Sequence, residues 1–211
     1  MDDALRVRDF WFGTRPLSAQ SLSERMKIWF PDEEPTPMRA RNDAVIAARF
    51  TELVERAATG SLASWADSPR RRLSLIILLD QFPRNIFRGL SRAFAYDDQA
   101  LELALSGMQL AADGALSVAE RMFFYMPLQH AEIRDVQDES VVAYRRLLLE
   151  APEELRGTFE STLQHAEAHR TVIRRFGRFP RRNVALARPD TPEEKLYLES
   201  LAAASSLTPL Q

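Results

Sequence analysis

The chain has 211 residues, a formal net charge of −2 and no cysteine. The absence of cysteine excludes disulfide bonds, thiolate catalysis and cysteine-ligated zinc or iron–sulfur centres. The slightly negative charge argues against nucleic-acid binding through bulk electrostatics, so we predict no nucleic-acid partner.

The sequence also lacks the features of a secreted or membrane protein. The first residues, MDDALRVRDFWFG, have no basic start, no long apolar run and no small-residue cleavage site, unlike a signal peptide. The longest apolar run, LSLIILL at 73–79, is far shorter than the roughly 20 residues of a membrane span. We therefore predict a soluble cytoplasmic protein with no membrane partner. Its oligomeric state is left open.

Apolar spacing predicts an all-α protein. No alternation of Val, Ile and Thr indicates a strand. We predict one helical domain over 1–204, a frayed tail at 205–211 and a flexible polar turn at 30–37. The predicted helices cover 3–12, 19–29, 38–59, 69–82, 97–112, 117–126, 136–150, 152–176 and 191–203.

Local signals define several helix ends. Ser117 and Thr191 each begin a capping box, and Asp97 is predicted to cap the helix that follows it. Pro83 and Pro127 are predicted to end helices, because proline lacks the backbone N–H that a helix interior needs. The short connections between helices predict antiparallel helical hairpins.

Asp80 lies at the C-terminal end of the predicted helix 69–82, which is apolar on all sides and should be buried. A buried carboxylate needs a cationic or multi-donor partner, and Arg84 and Arg88 are the local candidates. The sequence permits two roles for Asp80: a structural ion pair, or a general base or ligand carboxylate.

The segment YMPLQHAE places His130 and Glu132 just after a proline. A spacing of two residues does not put them on one helical face, so both line a cleft only if this segment is extended or turned. They are candidate catalytic residues; the alternative is a buried histidine hydrogen-bonded to a carboxylate.

His165 and His169 are four residues apart, a spacing that suits two metal ligands on one side of a helix. The sequence is not HExxH, and Ala166 stands where a metalloprotease carries its base. His169 also belongs to an apolar stripe, as a core histidine would. We therefore predict no metal and no cofactor, and keep His169 as a candidate catalytic residue.

Two Phe-Pro turns are rich in arginine and asparagine. They read DQFPRNIFRG at 80–89 and RRFGRFPRRN at 174–183. Guanidinium and amide groups are strong donors to anions, and matched helix lengths could bring both turns to one end of the protein. The predicted ligand-binding residues are Arg84, Asn85, Arg88, Arg178, Arg182 and Asn183.

Several motifs together resemble one known family. LLDQFPRNIFRG, AFAYDDQAL, YMPLQHAE and HRTVIRRFGRFPRRN followed by TPEEKLYL are similar to the bacterial domain-of-unknown-function 924 family, and the resemblance covers almost the whole chain. The resemblance implies an all-helical, TPR-like arrangement and implies no activity. The matching positions are Asp80, Gln81, Arg84, Asn85, Arg88, Gly89, His130, Glu132, His169, Gly177, Arg178, Pro180, Arg182 and Asn183.

The chain departs from the family pattern at three positions. Arg181 stands where histidine is usual, Ala131 where serine is usual and Ala187 where glycine is usual. A site that needed the first of these imidazoles would be altered in this chain.

Three hypotheses of function remain open. The first is a binding domain whose polar pocket takes an anionic small molecule or an acidic peptide of a partner protein. The second is a hydrolase or transferase in which Asp80 or Glu132 works with His130 or His169. The third is structural: the two turns lock helix ends in a protein-interaction scaffold, and the arginines bond buried carboxylates.

Overall fold

The computed structural model describes residues 2–14, 18–30 and 37–207, so most of the predicted flexible turn and the end of the predicted tail lie outside it. The described residues contain helices and no strand, which confirms the all-α fold. The α-helices are α1 Asp3–Phe12, α2 Ala19–Trp29, α3 Pro37–Ala58, α4 Pro69–Ile76, α5 Phe82–Ile86, α6 Asp97–Gln109, α7 Val118–Phe124, α8 Met126–His130, α9 Arg134–Glu150, α10 Arg156–Phe176 and α11 Pro192–Leu207.

The prediction that Pro83 ends the central helix is wrong. A π-helical turn, Ile77–Gln81, joins α4 to α5, and the chain stays helical through the proline. In a regular helix the ring of Pro83 would clash with the carbonyl of Leu79. The wider turn, in which the N–H of Phe82 donates to the carbonyl of Ile77, accommodates the proline.

Two further helix ends differ from the prediction. Pro127 lies in the first turn of α8, where a missing N–H leaves no hydrogen bond unmade, so it begins a helix rather than ending one. Asp97 is the first residue of α6 and makes no cap; its carboxylate bonds arginines instead. The capping boxes at Ser117 and Thr191 form as predicted.

The continuous helix formed by α4, the π-helical turn and α5 is the buried centre of the fold, as predicted. Its middle residues are fully buried, and it packs against α1, α3, α6 and α7. Trp11 of α1 lies edge-on to Phe82 at 5.5 Å and to Phe123 of α7 at 5.4 Å, and Phe50 of α3 packs 4.7 Å from Phe82. Each such side chain contributes about 1.5–3 kcal/mol by leaving water.

The second layer is formed by α9 and α10, which pack against each other across the short connection 151–155. α8 contacts both of these helices and α6, so the end of α8 lies between the two layers. Among the described residues, no helix has the length and apolar character that crossing a bilayer requires.

Ala187 has a left-handed backbone conformation, with φ of 51°. A β-carbon in this conformation costs about 1–2 kcal/mol of stability, and glycine avoids this strain. Glycine also makes the unfolded chain more flexible, which offsets part of the stabilisation. We expect Ala187→Gly to raise the free energy of unfolding by up to about 1 kcal/mol in urea denaturation. Ala48→Gly, at an exposed position of α3, is the control and should lower it by about 1 kcal/mol. Equal losses in both variants would contradict the backbone argument.

Candidate functional site

Asp80 is a fully buried carboxylate in the π-helical turn. Its Oδ1 lies 2.6 Å from Nδ1 of His130 and 3.2 Å from Nη1 of Arg84. Its Oδ2 accepts a hydrogen bond from the side-chain amide of Gln81. Both oxygens are therefore bonded, as the sequence argument for a buried anion requires.

These partners keep Asp80 ionised. Burial raises the pKa of Asp80, but the charge of Arg84 and the hydrogen bonds from His130 and Gln81 outweigh it and hold the pKa below its ordinary 3.8. Because the carboxylate can only accept, Nδ1 of His130 must carry the proton of their shared hydrogen bond. Nε2 of His130 is then left with a free lone pair.

The two Phe-Pro turns meet on a single carboxylate. Arg84 donates to both oxygens of Asp97 at 2.8 Å, and Nη1 of Arg182 lies 3.2 Å from Asp97 Oδ2. The guanidinium of Arg182 stacks between Phe94 and Phe179, with centroid distances of 4.8 and 4.6 Å. Arg182 also donates to the backbone carbonyl of His130 at 2.9 Å, so the second turn helps to hold this histidine.

The other predicted donors lie elsewhere. Asn85 and Arg88 both donate to Asp43 of α3, at 2.7–2.9 Å. Arg178 forms a two-point ion pair with Glu194 of α11, at 2.7 and 2.8 Å.

The last of these donors belongs to the second turn. Asn183 donates to Asp190 at 2.7 Å. All four predicted arginine donors therefore have a carboxylate partner within the protein. They are Arg84, Arg88, Arg178 and Arg182.

Glu132 does not face His130. Its carboxylate pairs with Arg188 at 2.6 and 3.0 Å and accepts the N–H of Phe179 at 2.7 Å. Burial raises the pKa of Glu132, but these hydrogen bonds outweigh it and lower the pKa. Glu132 thus anchors the second turn to the segment after α8.

Sequence reasoning missed five of these partners, which are Asp43, Asp97, Arg188, Asp190 and Glu194. Asp97 lies inside AFAYDDQAL, one of the motifs that carry the family resemblance, and this was the available signal. No local pattern marks Asp43 or Arg188.

A pocket of about 310 Å³ opens beside His130. It contains all three histidines of the chain, contributed by α8 and α10. The i, i+4 spacing placed His165 and His169 on one side of α10, and packing against α8 brings His130 to them. The lining residues are Met26, Phe30, Met126, Gln129, His130, Ser161, Thr162, His165 and His169.

His130 and His169 are neutral at neutral pH. Burial and the positive charge of Arg84 lower the pKa of His130, against the opposing effect of Asp80. Burial, with repulsion from the other two histidines, lowers the pKa of His169 to about 3. Within the described ranges, no group of three or more His, Asp or Glu side chains is arranged to hold a metal ion.

The ion pair of Arg84 should be a major source of stability. Arg84→Ala leaves Asp80 buried without its cation, so we expect the free energy of unfolding to fall by about 3–5 kcal/mol in urea denaturation. The matched control is Arg88→Ala in the same turn, whose pair with Asp43 is more exposed and should be worth less than about 1 kcal/mol. Similar losses in the two variants would contradict the proposed importance of the buried pair.

Acid should destabilise the protein through Glu194 and Asp80. The hydrogen bond from Arg178 lowers the pKa of Glu194, despite its burial, from the ordinary 4.5 to about 2. The stability that a depressed carboxylate contributes is present above its unfolded pKa and is lost as pH falls through the folded pKa.

We therefore expect the free energy of unfolding to fall between about pH 5 and pH 2, and to fall less steeply in Glu194→Gln. Urea denaturation at several pH values measures the slope. Glu160→Gln, the same substitution at an exposed position of α10, is the matched control. A Glu194→Gln slope equal to that of the wild type would contradict the assignment.

Comparisons with known proteins agree with the motifs. Residues 7–201 match the family described as bacterial protein of unknown function (DUF924). The chain is also similar to the solved structure of a protein of unknown function from Agrobacterium tumefaciens, with 34% identity, a TM-score of 0.76 and coverage of 93% of this chain and 97% of that chain. A comparison with curated proteins finds no match. The chain therefore belongs to the bacterial DUF924 family.

Proposed function

We propose that the protein is a hydrolase of a small, largely apolar acyl compound, with His130 as the general base and Asp80 as the carboxylate that orients it. The observation that carries the proposal is the 2.6 Å contact between Asp80 Oδ1 and His130 Nδ1 at the wall of the 310 Å³ pocket. A carboxylate–imidazole pair beside a cavity is the arrangement that general-base catalysis requires.

In the proposed reaction, a water molecule in the pocket gives a proton to Nε2 of His130 while its oxygen attacks the carbonyl carbon of the substrate. Asp80 accepts the hydrogen bond from Nδ1, which holds the ring in the required tautomer and stabilises the imidazolium that forms. The imidazolium returns its proton to the leaving group as the bond from carbon to that group breaks. The products are a carboxylic acid and an alcohol or amine.

The walls of the pocket support the choice of substrate. Met26, Phe30 and Met126 are apolar, and the neutral imidazoles of His130 and His169 carry no charge to attract an anion. A volume of about 310 Å³ is at the lower end of the range for small-molecule sites, so the substrate is small.

The ion pairs favour a supporting role for the arginine-rich turns over the alternative of an anionic metabolite or acidic peptide. An anion that approached Arg84 or Arg182 would compete with Asp97, which already bonds both. We therefore propose the structural hypothesis for the turns and the enzymatic one for the pocket. The π-helical turn that carries Asp80 agrees with this view, since such turns are frequent at functional sites. The TPR-like arrangement and the cytoplasmic location remain predictions.

The test is hydrolysis of a panel of short- and medium-chain nitrophenyl esters and anilides. We expect His130→Gln to lower kcat/KM by about 10²–10⁴-fold, the usual contribution of a general base. The matched control is His165→Gln, the same substitution at an exposed position of the same pocket, which should change KM more than kcat. Hydrolysis by His130→Gln at the wild-type rate would overturn the proposal.

The pH profile gives a second readout. A general base works when it is neutral, and the pKa of His130 lies below its ordinary 6.5. We expect log kcat/KM to be constant at pH values above the pKa of His130 and to fall at lower pH, with a midpoint below 6.5. A midpoint above 6.5 would exclude His130 in its described environment as the base.

A further inference from the structure

A second cleft, of about 410 Å³, lies between α1, α2 and α3, and it shares no lining residue with the histidine pocket. Unlike that pocket, it contains arginines from all three helices. We propose that this cleft binds a small organic molecule through a phosphate or carboxylate group. Its lining residues are Arg6, Asp9, Phe10, Arg25, Ile28, Asn42, Val45 and Arg49.

Arg49 is the principal cation of this site. Its guanidinium lies over Phe10 and Phe50, with centroid distances of 5.0 and 5.4 Å, and no carboxylate pairs with it within the described ranges. Contacts with two aromatic rings restrict the guanidinium without using its N–H groups in an ion pair. Arg84, Arg88 and Arg178 differ in this respect, because each is ion-paired.

Arg25 is the second uncompensated charge. Its Nη1 donates to the backbone carbonyl of Phe10 at 2.8 Å, which fixes the side chain without neutralising it. Arg6 pairs with Asp3 at 2.8 Å. Asp9, the one carboxylate among the described lining residues, lies 3.7 Å from Arg8, whose nearer partner is Glu120 at 2.8 Å. These lining residues carry three guanidinium groups and one carboxylate. The cleft is therefore positive, through Arg25 and Arg49.

Asn42 supplies an independent observation. Its side-chain nitrogen is buried and has no hydrogen-bond partner among the described residues, although the residue lines the cleft. A buried amide donor without an acceptor is uncommon, and here it lies in the same cavity as two unpaired guanidinium groups. An oxygen-rich anion, which only accepts hydrogen bonds, has the chemistry that these three donors require.

The same cleft indicates that the ligand has an organic part. Its volume is larger than an inorganic ion needs, and Phe10, Ile28 and Val45 offer apolar surface beside the donors. Phosphate and carboxylate groups share the chemistry that guanidinium recognises, so the experiment must separate them.

Isothermal titration of the intact protein with phenyl phosphate and with benzoate tests the proposal, with benzyl alcohol as the neutral probe. We expect at least one anion to bind, more weakly as ionic strength rises, and the neutral probe not to bind. Binding of only one anion identifies the preferred group. Binding of neither would overturn the proposal.

Variants connect the binding to this cleft. We expect Arg49→Gln to raise the dissociation constant by about tenfold or more, the effect expected from loss of a hydrogen bond to a charged group. Asn42→Ala should weaken it as well. Arg145→Gln, an exposed arginine of α9, is the matched control and should bind like the wild type.

His130→Gln should also bind like the wild type, so a failure of the hydrolase proposal leaves this test intact. Because Arg49 is exposed, its variant should keep the wild-type melting temperature, and a loss of binding can then be read directly. Equal anion affinity in Arg49→Gln and the wild type would overturn the assignment of the cleft.

Discussion

The burial of one carboxylate, that of Asp80, is the constraint on which much of this structure depends. An anion with no access to water is tolerated only if cations and hydrogen-bond donors surround it. Arg84 is supplied by the next turn of the same helix, and His130 is supplied by α8. The π-helical turn keeps the chain helical through Pro83, and the side chain of Arg84 reaches back to the carboxylate and to the backbone carbonyl of Asp80. The packing of α8 against the core is therefore linked to the need of the buried Asp80 carboxylate for cations and hydrogen-bond donors.

The same requirement extends outward as a chain of alternating charges. Arg84 bonds Asp97, Asp97 bonds Arg182, and Arg182 returns to the backbone of His130. Stability and the proposed chemistry therefore rest on the same atoms: the contacts that neutralise a buried anion also fix the ring that we assign as the base. The charges cancel within this series of ion pairs, and the adjacent pocket presents the neutral imidazoles of His130 and His169 beside the apolar side chains of Met26, Phe30 and Met126. The cleft between α1, α2 and α3 has the opposite character, because Arg25 and Arg49 have no carboxylate partner among the described residues.

Much of the fold was predictable from local chemistry. Capping boxes at Ser117 and Thr191 and the apolar character of 73–79 predicted helix starts and the buried axis, since these signals act through neighbours in sequence. The errors at Pro83 and Pro127 have one cause. A proline excludes a regular helix interior but is compatible with a π-helical turn or with the first turn of a new helix. Tertiary packing determines which of these forms. The i+4 partner of Asp80 was also predictable, whereas the partners Asp43 and Asp97 were not, because they come from other helices.

The sequence by itself determined the helical class, the family, the need of Asp80 for a cation and the presence of histidines on one side of α10. Each of these follows from spacing of up to about one helical turn, or from motifs that are contiguous in the chain. Only the tertiary structure decided which arginines are neutralised, that His130 rather than Glu132 meets Asp80, and that three histidines border one pocket. The physical reason is that charge pairing and cavities depend on distances between helices, and side-chain packing sets those distances without leaving a local pattern in the sequence.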